Sequence, residues 1–246
     1  MIRLCIIGNS HAAALKHASS DFCARNRDIQ LCFFAAHSNK TGDLVVQDGY
    51  YRPRTEALSD QIALTSGGLR EIDPAAWDAF LVYGFSRRPH AGDFAAGLSR
   101  SFRRAIFAER IAQCLLPRHL AALRSLSDAP IFAALTPLPA PSGSGRRRRL
   151  LRHRDEVAVV QSTCCDPHRA ILVPQPEDTT LKGLFTRPEY SIGSAPLDDV
   201  SKFRGTAHDS SETRHMNDAY GLLWLERFAP MLRQAVAAPD RSQAIL

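Results

Sequence analysis

A single α/β domain, its mainly parallel sheet lying between two layers of helices, is the fold this 246-residue chain predicts. Three observations predict it. Runs that are apolar throughout, such as "RLCIIG" at 3–8, read as strands buried on both faces, the pattern of a parallel sheet. Such runs alternate with stretches of helical periodicity, and that alternation builds layered α/β architecture. Neither an internal repeat nor a linker divides positions 1–246, and 45% apolar with 23% charged residues is the composition of an ordinary globular core.

The first strand runs straight into "GNSH" and a helix from His11 to about Arg25, with Ala12, Leu15, Ala18 and Phe22 at helical spacing. "IQLCFFAA" at 29–36 is the second strand. Residues 43–76 read as irregular, with "DGYYRPR" and "TSGG" marking turns, and Asp73-Pro74 opens a short helical approach to a third strand, "AFLVYG" at 79–84. Residues 93–127 read as one or two helices broken near Pro117, and "PIFAALTPLP" at 130–139 is a fourth strand entering a Pro-rich turn. The arginine tract "RRRRLLRHR" at 146–154 leads into a helix ending near Thr163, and 164–208 reads as loop. "HMNDAYGLLWLERFAPMLRQAV" closes the chain as a helix, and Trp77 and Trp224 are assigned to the core.

Composition narrows the classes of function. No apolar stretch reaches the roughly 18–20 residues needed to cross a bilayer. The first residues lack the long apolar core and small-residue cleavage site of a signal peptide. A cytoplasmic protein with no membrane partner is expected. Of the six cysteines, Cys5 and Cys32 fall inside strands as small hydrophobes, while Cys164-Cys165 are adjacent and no CxxC occurs. Neither a disulfide framework nor a metal site is expected. Much of the net charge of +6 lies in the arginine tract, which no aromatic residue interrupts. It reads as a solvated segment, and nucleic acid is not an expected partner.

Ligands of open parallel sheets bind beyond the carboxyl ends of the strands. Four such ends carry small or polar residues: Gly8-Asn9-Ser10-His11, Ala36-His37-Ser38, Gly84-Phe85-Ser86 and Thr136-Pro137. Ser10 stands where a helix begins, and free amides there favour the negative charge that develops when a serine attacks a carbonyl. A helix N-cap would use the same serine for purely structural reasons. Near the other end, His215 follows Glu212 by three residues, a spacing that lets a carboxylate orient an imidazole whose second nitrogen faces a serine. The structural alternative makes Ser210, Ser211 and Thr213 helix-start residues and Asn217 or Asp218 the cap. His11 either touches substrate or points outward from the first turn. Arg87, Arg88 and His90 either bind an anionic group or belong to a solvated loop.

Taken together, Gly8-Asn9-Ser10, Glu212-Thr213-Arg214-His215, the continuation "HMNDAYG" and the strand "AALTPLP" resemble the SGNH/GDSL hydrolase superfamily. That resemblance implies a flavodoxin-like, three-layer α/β/α sandwich. It implies a serine esterase or acyltransferase acting on small acyl esters, those of carbohydrates included, without metal or redox cofactor. Ser10 would be the nucleophile, His215 the general base and Glu212 its orienting carboxylate. The expected oxyanion donors are Ser10, Gly84, Ser86 and Ser38, and the expected substrate contacts His11 and Arg87. Ser86 stands where the family carries an asparagine donor, and losing one such donor typically costs ~3–4 kcal/mol of transition-state stabilisation. Two alternatives follow from the residues. One is a weakly active or inactive binding protein of the same fold. The other is an anion- or nucleotide-binding α/β protein using the Ser10 helix start and the arginine tract, for which no glycine-rich phosphate loop is present.

Overall fold

Five parallel strands form the central sheet of the computed structural model: β1 (Ile2–Gly8), β2 (Ile29–Ala35), β5 (Ala79–Tyr83), β6 (Ile131–Ala134) and β7 (Ala170–Leu172). Residues 1–38, 40–85, 97–141, 151–197, 208–209 and 211–238 are described. Ser86, Arg87, Arg88, His90, Arg146 to Leu150 of the arginine tract, and Ser210 lie outside them. The strand order is β2-β1-β5-β6-β7, which in sheet order is 2-1-3-4-5, the flavodoxin-like winding. The topological switch point therefore falls between β1 and β5, paired in parallel from Leu4–Ala79 to Gly8–Tyr83. Such a crevice is where this architecture binds ligands.

The sheet is buried on both faces because its strands are apolar along nearly all their length, Arg3 and Gln30 near the starts of β1 and β2 excepted. Cys5, Ile7, Phe80 and Val82 pack on one side with Leu58 and Ile62 of α2 (Glu56–Ser66), Phe107 of α3 (Arg100–Ala112), Leu120 of α4 (Leu115–Leu126) and Val160 of α5 (His153–Val160). Leu4, Ile6, Leu81 and Tyr83 face the other way, onto Leu15 and Phe22 of α1 (Ala13–Arg25) and Trp224 and Phe228 of α6 (Asp218–Ala237). Ala12, Leu15, Ala18 and Phe22, the helical stripe read from sequence, are all buried. So is Trp224, and Trp77 packs edge-on to Phe34. Helices α1 and α6 meet at Gly221, where a Cβ would lie 2.0 Å from the Ala14 carbonyl oxygen. Only a residue without a side chain lets the two backbones approach so closely.

Several sequence expectations need correction. The supposedly irregular 43–76 holds a hairpin, β3 (Leu44–Gln47) and β4 (Tyr50–Pro53), and then α2. Asp48 and Gly49 both have positive φ, 51° and 81°, as a tight two-residue hairpin turn requires. Thr55 starts α2 by accepting the Leu58 amide at 3.3 Å, and left-handed Gly67 ends it. The break between α3 and α4 falls at Gln113 and Cys114. Pro117 instead sits in the first turn of α4, where an amide would have no intrahelical partner. The stretch 164–208 contributes β7 and a small hairpin, β8 (Thr180–Leu181) with β9 (Phe185–Thr186). The first helix opens as a 3-10 turn over Ser10–Ala12, and the last begins at Asp218, not at His215. Among the described residues no helix is long and apolar enough to cross a membrane.

Candidate active site

Ser10 leaves β1 beside the switch point. Asn9 shapes the turn: its Oδ1 accepts the His11 amide at 3.0 Å, while its Nδ2 donates to the Gly84 carbonyl at 2.8 Å. One side chain thus caps the turn at the end of β1 and ties it to the end of β5. Gly84 has φ +92°, and a Cβ there would lie 2.6 Å from Asn9 Oδ1, so backbone and space both demand glycine. The Gly84 carbonyl also accepts from Thr136 Oγ1 at 2.5 Å, which joins the end of β6 to the same knot.

His215 lies in the connection before α6 and meets this turn from the far end of the chain. Its Nε2 is 3.1 Å from Ser10 Oγ, and its Nδ1 is 3.3 Å from Glu212 Oε2. The second distance is within ion-pair reach, yet among the described residues Nδ1 has no aligned hydrogen-bond acceptor. Unliganded sites commonly show such loose contacts and tighten them only as the reaction proceeds. Glu212 Oε1 accepts the Arg214 amide at 2.5 Å. Burial pushes the Glu212 carboxyl upward, but the Arg214 amide and His215 outweigh it, and the group stays below its ordinary value. The three residues singled out from sequence as nucleophile, base and orienter are brought into one line.

The other expected site residues divide. The Gly84 amide donates to the Ala134 carbonyl at 2.9 Å and so extends the sheet. Gly84 also contributes the carbonyl that anchors Asn9. Ser38 is exposed in the turn beyond β2, with φ +56°. Ser86 and Arg87 fall outside the described residues. His11 does not simply point outward: its ring stacks on His215, centroids 4.8 Å apart at 22°.

Two residues that the sequence did not mark as functional shape the surroundings. His208 also stacks on His215, at 4.7 Å and 26°. It is held by Ser194, whose Oγ is 3.0 Å from His208 Nδ1 and whose carbonyl accepts the His208 amide at 2.8 Å. Burial, and then the neighbouring charge of His215, lower the His208 pKa. Asn217 caps α6 by accepting the Tyr220 amide at 3.1 Å. It also moors the 188–192 loop, donating from Nδ2 to the carbonyls of Glu189 at 2.8 Å and Ile192 at 2.9 Å, and from its amide to that of Tyr190 at 2.8 Å. The run "HMN" could have signalled this, since an asparagine at a helix start keeps its amide group free for a second partner. Nothing in local sequence signals His208, whose contact exists only once the chain has folded. Among the described residues no group of three His, Cys, Asp or Glu is arranged to hold a metal.

No family model and no curated protein matches this chain. Among solved structures it is similar to a carbohydrate acetylesterase family member from Sinorhizobium meliloti, at 10% identity and TM-score 0.46, over 97% of this chain and 100% of that one. It is also similar to a protein from Agrobacterium tumefaciens str. C58 described as a "putative arylesterase", at 9% identity and TM-score 0.41, over 96% of this chain and 100% of that one.

Proposed function

We propose that this protein is a serine-dependent ester hydrolase or acyltransferase acting on small acyl esters, with water or a carbohydrate hydroxyl as acceptor. One observation carries the reading: Ser10 Oγ, the His215 ring and the Glu212 carboxylate stand in sequence at 3.1 and 3.3 Å. Ser10 Oγ bonds to the acyl carbon while its proton passes to His215 Nε2. Glu212 keeps Nδ1 protonated and steadies the imidazolium that results. His215 returns the proton to the leaving alcohol as its C–O bond breaks. Water or a sugar hydroxyl then attacks the acyl-enzyme, giving its proton to His215, and Ser10 recovers that proton as it leaves. For the oxyanion we assign the amide of Ser10 itself, first in a helical turn and so without an intrahelical carbonyl to meet.

The commitment of the Gly84 amide favours a second reading, a binding protein of the same architecture with little turnover. Hydrolysis of p-nitrophenyl acetate separates the two. Ser10→Ala is expected to lower kcat/KM by about 10³-fold or more. Equal turnover in variant and wild type would overturn the serine mechanism.

A further inference from the structure

We infer that His208 and His11 are positioning residues, whose rings stack on His215 and hold its imidazole in the plane that joins Ser10 to Glu212. This inference rests on the reading of Ser10 as nucleophile and His215 as base. An imidazole turns easily about its Cβ–Cγ bond, where the torsional wells are broad. A triad normally restrains that turn with a hydrogen bond from Nδ1 to the carboxylate. Here the Glu212 oxygen lies 3.3 Å from Nδ1 without the alignment of a strong hydrogen bond among the described residues, so it restrains the plane only loosely. Two rings lie against the imidazole and can supply the rest, at 4.7 and 4.8 Å, tilted by 26° and 22°.

Each stacked ring is itself restrained. His11 rides on the turn that Asn9 locks to Gly84. His208 is gripped by Ser194 at both ring and backbone, and the neighbouring loop is moored to Asn217, two residues beyond the base. The restraint thus closes on itself, from the start of α6 through the 188–194 loop to His208 and back to His215. A neutral aromatic face is also a favourable neighbour for the imidazolium that forms during the reaction. His208 suits that part, since burial disfavours its own protonation.

The test follows inactivation by a fluorophosphonate probe, in which Ser10 Oγ bonds to phosphorus and fluoride leaves, so that no natural substrate is needed. His208→Ala is expected to lower kinact about tenfold with KI unchanged, because misplacing a catalytic group costs rate and not affinity. His208→Phe, which keeps a flat ring but no titratable nitrogen, is expected to recover most of that loss. Ser194→Ala, which frees the ring without removing it, should fall between wild type and His208→Ala, and it carries the test if His208→Ala does not fold. Labelling in wild type that Ser10→Ala abolishes, with His208→Ala and Ser194→Ala as fast as wild type, would overturn the positioning role alone. So would an equal loss in the Ala and Phe variants. Absence of Ser10 labelling in wild type would overturn the nucleophile reading, and the positioning role with it.

Discussion

His215 and His119 each set a ring nitrogen against a hydroxyl, 3.1 Å from Ser10 Oγ in one case and 2.7 Å from the Tyr51 hydroxyl in the other. Their surroundings differ in burial and in the charge beside the second nitrogen. His119, on α4, is 0% exposed and packs on Phe85 with ring centroids 4.7 Å apart. Burial, helped by nearby Arg118, drives its pKa down to about 3, and burial likewise pushes the Tyr51 phenol upward. Among the described residues its second nitrogen has no carboxylate beside it and no hydrogen-bond partner. The His215 side chain keeps 21% of its surface open and has Glu212 beside Nδ1. His153 is a third case, with a Glu156 carboxylate oxygen 3.7 Å from Nδ1 and, among the described residues, no hydrogen-bond partner at either ring nitrogen. Proximity of a hydroxyl or of a carboxylate alone does not make a base. A base needs both, together with enough access for the proton to matter.

The largest test of that contrast removes what His119 lacks. Glu212→Gln keeps the shape of the site but not its charge, and kcat/KM for p-nitrophenyl acetate is expected to fall about 10²-fold. Unchanged turnover would leave His215 with no advantage over His119. A smaller effect, and one of another kind, is expected at the buried pair. His119→Phe leaves the Tyr51 hydroxyl buried and unpaired, lowering stability by about 1–3 kcal/mol in denaturant titration while turnover is unchanged. The same buried ring also carries a pH response of its own. The unfolded chain takes up the proton near pH 6.5 and the folded one only near 3. The stabilisation from keeping this ring neutral is therefore full above 6.5 and is lost as pH falls from 6.5 toward 3. Comparing unfolding midpoints of wild type and His119→Phe across that window isolates the effect, and parallel curves would contradict it.

The legible part of the site was the part carried by chemistry at fixed spacing. Ser10 after an apolar strand, and Glu212 three residues before His215, were readable because a hydroxyl, an imidazole and a carboxylate are recognised by residue type, and the fold brings these three side chains together. Strands β1, β2, β5 and β6 were readable because burial on both faces leaves continuous apolar runs. Strand β7 has only three residues, too short to stand out in a Pro-rich stretch. The β3–β4 hairpin went unread although Asp48-Gly49 is a strong hairpin signal, because its strands are half exposed and lack a continuous apolar run. The family resemblance gives Gly84 an amide role, and in the fold that amide meets the Ala134 carbonyl. Which of the glycine's two backbone groups faces the site depends on the neighbouring strand β6, and no local pattern encodes that. The stacking of His208 depends on a loop moored from elsewhere and was illegible for the same reason.

The contact at Gly221 bears on when Ser10 and His215 can meet. They are separated by 205 positions, and the helices that follow them pack together there. Contacts so distant in sequence form late, after much of the intervening chain has been ordered. Ser10 is synthesised well before His215, and their pairing waits for α6 to dock on α1. On the proposed reading, a chain in which α6 has not docked would carry its serine without its base.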